Sequence, residues 1–302
     1  MENRNIYDAI IIGGSYSGLA AAMALGRALK NVLVLDAGLP CNRQTPHSHN
    51  FLTNDGKTPA EIATIAKQQV LEYPTVAFFN DMVTDAIKTE VGFDVSLMNG
   101  ETFSAKKLIF ATGIKDIFPN IPGLEACWGI SVLHCPYCHG YEVKGLPTAI
   151  LNNGETGFEI ARLIRNWTDD LTIVTNGTAT FSEEQWYFIK AQNIKVKQEE
   201  ITGLNHNKGY ISGITFSDGS ALAVKVAYTR VPFVQHSLLP EKLGCEITPE
   251  GYIKTNPMQQ TTVNGIYACG DSISPMRAVA HAVFTGTMAG ISASKELIFE
   301  NY

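Results

Sequence analysis

Two cysteines separated by two residues, Cys135 and Cys138, carry the most reactive chemistry in this sequence. Such a pair can close a small disulfide and reopen as a dithiol, and the attacking species is the thiolate. Pro136 suits the first position of a helix whose positive end would point at the sulfurs. His134 and His139 flank the pair, and each can carry a proton near neutral pH. The spacing therefore predicts a redox-active pair.

Two other interpretations of this pair are half of a zinc site and two packed core cysteines. Zinc prefers four ligands, and no second Cys-x-x-Cys motif completes such a site. The remaining cysteines are scattered along the chain, which favours reduced, structural thiols; they are Cys41, Cys127, Cys245 and Cys269. We therefore expect redox chemistry and no metal.

A glycine-rich turn between two apolar runs predicts a dinucleotide site near the N-terminus. Residues 7–12 suit a buried strand, residues 19–29 an Ala-rich helix, and residues 31–35 a second strand. Glycine lets the backbone approach a pyrophosphate, the helix N-terminus stabilises its charge, and an acid after the second strand binds the ribose. The residues of this pattern are Gly13, Gly14, Ser15, Gly18 and Asp36.

Two later strands end in residues that suit the same site. One apolar run ends in Ala111-Thr112-Gly113, and another ends in Gly270-Asp271. Ligands of α/β folds bind at the carboxyl ends of parallel strands, so the Asp271 carboxylate is expected at that edge. An amphipathic helix is predicted from about Arg277 to Leu297.

Residues 148–174 repeat the strand–turn–helix–strand pattern, but their recognition residues are degraded. Asn152 stands where the first glycine of the turn belongs, although Gly154 and Gly157 are kept. Residues 174–177 offer neither Arg nor Lys for a 2′-phosphate, and no acid for the ribose of NADH. The pattern therefore predicts a dinucleotide scaffold that binds NADPH poorly.

The segments between these motifs are less informative. Residues 38–56 are polar and are predicted to form a loop, whose His47 and His49 could touch a ligand or simply face solvent. A helix is predicted over 58–73, two or three antiparallel strands over 76–99, and a linker over 114–119. Further strands are expected near 194–196, 210–216 and 223–228.

Length and composition set the outer bounds. A chain of 302 residues is long enough for two domains, and its net charge of −6 argues against nucleic acid or an anionic membrane as partner. No apolar run reaches the roughly 18 residues of a membrane span, and the N-terminus lacks a signal-peptide pattern. Six cysteines are too few for a secreted disulfide scaffold, so we expect a cytoplasmic protein.

The order and spacing of four signals resemble the low-molecular-weight thioredoxin reductase family over nearly the whole chain: the first glycine turn, Ala-Thr-Gly, Cys-x-x-Cys and Gly-Asp. The resemblance implies an α/β fold of two Rossmann-like, three-layer domains, the second inserted in the first. Residues 1–114 and 242–302 would bind FAD, and residues 115–241 would form a nicotinamide-type domain carrying the cysteine pair. Members of this family are usually homodimers.

The resemblance also implies roles for individual residues. The adenine half of FAD would be held by Gly13, Gly14, Ser15, Gly18 and Asp36, with Ala111, Thr112, Gly113 and Gly270 as further cofactor-binding positions. Asp271 would bind the ribityl chain, and the helix beginning near Arg277 and Ala278 would face the isoalloxazine. Cys138 would exchange electrons with the flavin, and Cys135 would attack the substrate disulfide.

The sequence departs from the family where the proton donor is expected. The family usually places an aspartate after the second cysteine, and His139 takes that position here. The phrase Cys-Pro-Tyr-Cys-His-Gly-Tyr-Glu at 135–142 resembles the branch that contains gliotoxin-type dithiol oxidases and many bacterial reductase-like proteins. We therefore expect Cys135, Cys138 and His139 to be the catalytic residues.

The favoured function is an FAD-dependent disulfide oxidoreductase acting on a thioredoxin-like protein or a small-molecule dithiol or disulfide. One alternative is an oxidase that makes a disulfide in a small dithiol and passes the electrons to oxygen. Another is a reductase driven by a donor such as ferredoxin, and a third is a non-enzymatic redox sensor or electron carrier. The intact cysteine pair weighs against the sensor, which needs no cycling dithiol.

Overall fold

The computed structural model describes residues 6–300 and gathers them into two compact units. The first unit combines residues up to 43 with 59–115 and with the chain from 233 onward, and the second combines 44–58 with 116–232. The chain thus returns to the first unit at residue 233, earlier than the predicted 242. Residues 44–58 group with the second unit, whereas the sequence places them in the first domain.

The strands and helices are numbered in chain order. The strands are β1 (Ile6–Ile12), β2 (Val32–Leu35), β3 (Val76–Phe79), β4 (Val83–Lys88), β5 (Phe93–Leu97), β6 (Thr102–Phe110), β7 (Ile114–Asp116), β8 (Val132–Leu133), β9 (Thr148–Ile150), β10 (Leu171–Val174), β11 (Lys195–Lys197), β12 (Ile201–Asn207), β13 (Tyr210–Phe216), β14 (Ala221–Leu222), β15 (Val226–Tyr228), β16 (Phe233–Gln235) and β17 (Ile266–Ala268). The helices are α1 (Tyr16–Arg27), α2 (Pro59–Leu71), α3 (Leu124–Cys127), α4 (Pro136–His139), α5 (Gly154–Ile164), α6 (Glu183–Ala191), α7 (Leu239–Lys242) and α8 (Val279–Phe299), with a 3-10 turn at Gly270–Ser272.

A seven-stranded sheet forms the centre of the first unit, in the order β3-β2-β1-β6-β5-β4, with β17 also paired to β6. Strands β1, β2, β3, β6 and β17 run parallel to one another. Strand β5 pairs antiparallel with β6 on one side and with β4 on the other. Successive residues of β1 enter different cores: Ala9 and Ile11 pack with helices α1 and α8, and Ile10 and Ile12 pack on the opposite face. This double burial explains why β1 reads as a continuous apolar run.

Helices α1 and α8 pack closely because small residues line their contact. A Cβ on Gly286 would overlap the backbone of Ser17, and a Cβ on Gly290 would overlap the backbone of Ala21. The close approach fixes the start of α1, and with it the glycine turn, against the C-terminal helix of the same unit.

The second unit contains a five-stranded parallel sheet in the order β11-β10-β9-β15-β8. A separate antiparallel sheet is formed by β12, β13 and β14. The strand order reverses direction between β9 and β15, which is the position where open parallel sheets bind ligands. Ala149 packs on one face of this sheet and Ile150 on the other, so β9 is buried on both sides.

The mixed α/β architecture agrees with the prediction, and the differences have physical causes. Strand β3 runs parallel to β2, so the prediction of antiparallel strands over 76–99 is wrong for β3 and correct for β4 and β5. The helix α2 connects β2 to β3 as a crossover, and such a connection joins parallel strands. The predicted linker at 114–119 contains β7, which pairs with β16 in a two-stranded sheet.

Several elements escaped the sequence analysis, and one helix is shorter than predicted. Strand β12 and helix α6 were not predicted, although Ser182 and Gln185 form a capping box at the start of α6. The helix predicted at Pro136 is a single turn that ends at His139. No helix in the described part of the chain combines the length and the apolar character that crossing a bilayer requires.

Candidate functional site

The glycine turn between β1 and α1 presents bare backbone at the edge of the sheet. Gly13 has a φ of 107°, and a Cβ on Gly13 or on Gly18 would overlap neighbouring backbone. Ser15 is the N-cap residue of α1, and its side chain makes no capping hydrogen bond. The first N–H groups of α1 are therefore not occupied by their own cap and can face an anion.

Asp36 follows β2 directly and lies against this turn. The Gly14 N–H donates to Asp36 Oδ1 at 3.1 Å, which holds the carboxylate beside the turn. A cavity of about 310 Å³ opens next to the carboxylate; its lining includes Ala37, Gly38, Asn80, Asp81, Met82 and Met98. A carboxylate at the mouth of such a cavity suits the ribose and adenine of a nucleotide.

Ala111, Thr112 and Gly113 follow β6 at the same edge of the sheet. The Ala111 N–H donates to the Ile12 carbonyl oxygen at 2.8 Å, so this segment lies beside the end of β1. The Thr112 hydroxyl is buried and has no hydrogen-bond partner among residues 6–300. A buried hydroxyl normally has a partner, so Thr112 suits a ligand that supplies one.

Gly270 and Asp271 form the 3-10 turn after β17. Gly270 has a φ of 79°, and its N–H donates to Thr285 Oγ1 on α8 at 3.0 Å. The Asp271 carboxylate lies 3.9 Å from Arg277 Nε and 3.9 Å from the Cys41 thiol. Helix α8 begins at Val279 with Ala278 as its N-cap residue, so Arg277 and Ala278 precede the helix rather than start it.

These features fit FAD. Four features lie in the first unit, on segments that follow its parallel strands: the open helix start, the glycine cradle, the Asp36 carboxylate and the Thr112 hydroxyl, which has no partner within residues 6–300. Each predicted cofactor position in this unit lies on one of the segments that follow β1, β2, β6 and β17. Their assignment to parts of FAD stays a prediction.

Asp271→Ala is expected to weaken retention of FAD roughly ten- to hundredfold, because a hydrogen bond to a charged group contributes about 1.5–3 kcal/mol. The dissociation constant can be measured by fluorescence as the apoprotein takes up FAD. Asp85→Ala is the control, since Asp85 is a half-exposed carboxylate of the same unit that pairs with Lys242. A colourless, well-folded wild-type preparation that does not take up added FAD would contradict the assignment of this site.

The second unit carries the cysteine pair. Cys135 and Cys138 form a disulfide with their Cα atoms 5.4 Å apart, a separation usual for disulfides. Cys135 is the N-cap residue of α4 and Pro136 takes its first position, as the sequence predicts. Both cysteines are partly exposed. The pair is therefore bonded and within reach of solvent.

Three of the four other cysteines, Cys127, Cys245 and Cys269, are buried in environments that suit inert thiols. Burial raises the pKa of Cys127 and Cys245, and it raises the pKa of Cys269 to about 12. A thiol that stays protonated is a poor nucleophile. Cys41 is exposed and lies against Asp271. Over residues 6–300, no three or more His, Cys, Asp or Glu side chains are grouped so as to hold a metal ion.

The two histidines that flank the pair have different surroundings. The ring of His134 stacks on Trp128, with centroids 5.8 Å apart. His139 is the last residue of α4, and burial lowers its pKa. The positive charge of His49 lowers the pKa of His139 further, whereas the negative charge of Glu142 raises it. His139 is therefore favoured as a neutral imidazole that can accept a proton.

The carboxyl edge of the second sheet is closed by the protein's own side chains. Asn152 bridges the ends of β9 and β15: its Nδ2 donates to the Arg230 carbonyl oxygen at 3.1 Å, and the Arg230 N–H donates to its Oδ1 at 2.9 Å. A cavity of about 390 Å³ remains beside this bridge, lined mainly by apolar side chains; they include Ile117, Phe118, Ile121, Leu151, Ile201 and Val231. The bridge occupies the point where a Rossmann turn would present glycine to a pyrophosphate.

The start of α5 is also occupied from within. Asn153 caps the helix, and its Oδ1 accepts from the N–H groups of Gly154 at 2.7 Å and Thr180 at 3.0 Å. In the turn after β10, Thr175 Oγ1 donates to the Gly177 carbonyl oxygen at 2.6 Å, and Asn176 Oδ1 accepts from the Ile201 N–H at 2.6 Å. The polar groups that face a dinucleotide in such a turn are here engaged with the chain itself.

Sequence reasoning missed two acids and one cap of this unit. Glu142 and Asp55 contact His49, at 3.5 Å and 3.6 Å respectively. Glu142 stands three residues after His139, a spacing that could have drawn attention to it, but nothing local links it to His49. Asn153 has the residue type that N-caps prefer and could have been recognised beside Asn152.

Comparison with known proteins gives consistent matches along the chain. The family model described as pyridine nucleotide-disulphide oxidoreductase matches residues 7–286. A protein of Claviceps purpurea named thioredoxin reductase tcpT is 33% identical over 315 aligned residues, which cover 99% of this chain and 96% of the relative.

Two solved structures share the fold over nearly their full lengths. The oxidoreductase from Agrobacterium tumefaciens is 39% identical with a TM-score of 0.91, covering 97% of this chain and 99% of that one. A putative thioredoxin reductase, TrxB, from Bacillus anthracis is 30% identical with a TM-score of 0.93, covering 98% of this chain and 100% of that one.

Proposed function

The chain belongs to the pyridine nucleotide-disulphide oxidoreductase family, and from this premise we propose that it moves electrons between FAD and a substrate disulfide through Cys135 and Cys138. It is a FAD-dependent disulfide oxidoreductase of the thioredoxin reductase type. The observation that carries the assignment of residues is the partly exposed disulfide at the start of α4.

The proposed exchange runs in two steps on the protein's own sulfurs. The Cys135 thiolate attacks one sulfur of the substrate disulfide, forming a mixed disulfide and releasing the first substrate thiolate. The Cys138 thiolate then attacks Cys135, which releases the second substrate thiolate and closes the Cys135–Cys138 bond again. Bound FAD, once reduced by an electron donor, would supply the two electrons that reopen this bond. The two protons lost by the cysteines go to the two released substrate sulfurs.

We assign to His139 the transfer of protons between the cysteine thiols and the released substrate sulfurs. It is the side chain next to Cys138 in sequence, and burial keeps it available as the neutral base at neutral pH. Its ring can take a proton from a cysteine thiol and return it to a departing substrate thiolate.

His139→Ala is expected to slow turnover by roughly 10²–10⁴, the usual size of a general acid–base contribution. Because the pKa of His139 is lowered, the wild-type rate should fall only on the acid side of the ordinary histidine range, and the variant should lose this limb of the profile. Turnover from pH 5 to 9 with a disulfide substrate measures both effects. A variant that keeps the wild-type rate and profile would make His139 a packing residue.

Anaerobic titration tests the proposed function as a whole. Two equivalents of a small dithiol, one for the Cys135–Cys138 disulfide and one for the flavin, should bleach the flavin of the wild-type protein, and re-oxidation by a disulfide should restore its colour. A Cys135→Ser/Cys138→Ser double variant should retain FAD and respond to neither. Bleaching of the flavin to the same extent in both proteins would contradict electron transfer through the pair.

The same titration repeated in air, with the hydrogen peroxide formed measured, tests whether oxygen is the electron acceptor.

The partners and assembly are proposals of the same kind. The substrate is proposed to be a thioredoxin-like protein or a small-molecule disulfide, and two exposed tyrosines beside the pair, Tyr137 and Tyr141, offer it an aromatic surface. A homodimer is proposed because family members usually form one, and a cytoplasmic setting because cysteines are few. NADPH is proposed to be a poor electron donor.

A further inference from the structure

Tyr228, the last residue of β15, is buried in the second unit with a hydroxyl that bonds to nothing in the oxidised protein. The residue is 2% exposed, and its hydroxyl has no hydrogen-bond partner among residues 6–300. A buried polar group without a partner is costly, and most buried side-chain polar atoms have one. The Tyr228 hydroxyl therefore suits an acceptor that forms in another state of the protein.

Strand pairing places Tyr228 beside the segment that leads into the cysteine pair. Tyr228 is the register partner of Leu133, the last residue of β8, and the Thr229 N–H donates to the Leu133 carbonyl oxygen at 2.9 Å. Cys135 stands two residues after Leu133 and has extended backbone, with a φ of −129° and a ψ of 112°. The backbone of Tyr228 is thus fixed next to the start of the pair.

The chain on both sides of the pair packs on the face of the sheet that holds Tyr228. Leu133 before the pair and Val143 after it belong to the same apolar cluster as Tyr228. His134 turns to the opposite face, where its ring stacks on Trp128. Because successive side chains of an extended chain alternate between the two faces, Cys135 is directed to the face of Tyr228.

Helix α4, which carries the second cysteine, lies on this face as well. The Tyr137 ring in α4 meets the Trp167 ring edge-on, with the centroids 5.6 Å apart. Trp167 follows α5, whose apolar side chains pack in the cluster that contains Tyr228. A Cβ on Gly140, directly after α4, would overlap Trp167 and the Pro136 carbonyl oxygen, so this turn packs tightly. The pair therefore covers the end of the sheet at which Tyr228 is buried.

Reduction of the pair creates the kind of acceptor that the hydroxyl lacks. Opening the Cys135–Cys138 bond with two electrons and one proton leaves one thiol and one thiolate. A neutral cysteine sulfur is a weak acceptor, whereas hydrogen bonds to a charged group are strong. Burial raises the pKa of Tyr228, and the negative charge of Glu142 raises it further, so the hydroxyl keeps its proton and remains a donor at neutral pH.

We propose that the Tyr228 hydroxyl donates a hydrogen bond to the Cys135 thiolate when the Cys135–Cys138 disulfide is open, and that it thereby favours the reduced state of the pair. The inference rests on the proposed function, in which reduced FAD supplies the two electrons. It differs from a purely structural role, in which the ring only fills the core of the second unit. A donor that acts in the reduced protein alone changes the balance between the two states, and a packing residue does not.

Tyr228→Phe removes the hydroxyl and keeps the ring, so the pair should become roughly ten- to hundredfold harder to reduce, the effect of losing one hydrogen bond to a charged group. This change lowers the reduction potential by about 30 to 60 mV. FAD-loaded wild type and variant are equilibrated without oxygen, at neutral pH, in mixtures of reduced and oxidised dithiothreitol. Alkylation followed by peptide mass spectrometry then measures the free thiols at Cys135 and Cys138.

Tyr267→Phe is the matched control, because Tyr267 is also fully buried and its hydroxyl donates to Glu296 in the first unit. This variant should leave the dithiol–disulfide equilibrium unchanged. An equal equilibrium constant in wild type and Tyr228→Phe, or the same shift in both phenylalanine variants, would overturn the proposal.

Thermal melting of Tyr228→Phe gives an independent check. In the oxidised protein the variant should melt at or above the wild-type temperature, because phenylalanine removes a buried group that has no partner there. In the reduced protein it should melt below the wild type. A lower melting temperature of the oxidised variant would show that the hydroxyl is already engaged before reduction, and it would overturn the proposal.

This inference and the proposed function fail in different ways. If Tyr228→Phe shifts the equilibrium but the flavin does not respond to the pair, the hydrogen bond is supported and electron transfer through the pair is contradicted. If dithiols bleach the flavin through the pair and Tyr228→Phe shifts nothing, the proposed function is supported and the role of Tyr228 is overturned.

Discussion

Cys138→Ser is expected to stop dithiols from reducing the flavin and to leave Cys135 trapped in a mixed disulfide with the substrate. The reason is the proposed division of work, in which Cys135 attacks the substrate and Cys138 resolves the intermediate. Without Cys138 no neighbouring thiolate can release the second substrate sulfur. Peptide mass spectrometry of the variant after mixing with an aromatic disulfide should locate a substrate moiety on Cys135.

Cys135→Ser should give the opposite pattern. Cys135 is the N-cap residue of α4, and serine at this position keeps a short polar side chain at the start of the helix, so the fold should be retained. The Cys135→Ser variant should form a mixed disulfide much more slowly than Cys138→Ser does. If both variants form the adduct equally fast, the two roles are wrongly assigned.

Cys245→Ser is the control for both variants. Its thiol is buried and donates to Thr261 Oγ1 at 3.4 Å, a contact that a serine hydroxyl can also make. Because burial raises the pKa of Cys245, this thiol should not enter the exchange. Wild-type behaviour of Cys245→Ser would assign the effects of the other two variants to the pair itself.

The fold could be predicted where burial dictates the residue pattern. Strands such as β1 and β9 are buried on both faces over most of their length, which favours apolar residues at successive positions, such as Ala9 to Ile12, and so leaves a clear signal. The prediction of a two-part α/β fold of the thioredoxin reductase type is confirmed by the relatives. Strand β12 escaped prediction because its exposed half is polar and carries no apolar alternation.

The site could be predicted only where its residues are close in sequence. The cysteine pair and the glycine turn are local motifs, and their spacing alone indicates their chemistry. The contact of His49 with Glu142 and the bridge from Asn152 to Arg230 join residues from distant parts of the chain. Such pairs depend on how the loops fold back, which periodicity does not encode.

NADPH is expected to reduce this flavin slowly, or only at millimolar concentration, and NADH is expected to do no better. The first reason is the bridge between Asn152 and Arg230, which occupies the crevice between β9 and β15. A bound dinucleotide would have to break both hydrogen bonds between Asn152 and Arg230. The second reason is the start of α5, where Asn153 already accepts the first N–H of the helix. A pyrophosphate would compete with this cap.

The third reason concerns the 2′-phosphate, because three cations of the second unit that could bind it, Arg162, Arg165 and Lys197, already have partners. The Arg162 guanidinium lies over the rings of Phe158 and Phe188, at 5.5 and 5.8 Å. Arg165 pairs with Asp169. Lys197, the last residue of the neighbouring strand β11, pairs with Glu199 at 3.0 Å and Asp218 at 3.3 Å. Each missing charge-assisted bond costs about 1.5–3 kcal/mol, so affinity should fall by about one to three powers of ten.

Stopped-flow mixing of the oxidised protein with NADPH or NADH under anaerobic conditions measures the effect. Asn152→Gly should speed reduction by NADPH, because it removes the bridge and restores the glycine that the turn requires. Asn166→Gly is the control, since Asn166 is an exposed asparagine in the turn after α5. Dithionite should bleach the flavin of all three proteins, which shows that the cofactor is competent.

The outcome separates two accounts of the second unit. If micromolar NADPH reduces the wild-type flavin fully within a second, the side chains of Asn152 and Asn153 must yield to the nucleotide, and the protein is an ordinary NADPH-dependent reductase. If reduction is slow and Asn152→Gly speeds it while Asn166→Gly does not, the crevice is closed by the Asn152 bridge. The unit would then serve to carry the Cys135–Cys138 pair, and the electrons would have to come from a protein donor or a dithiol.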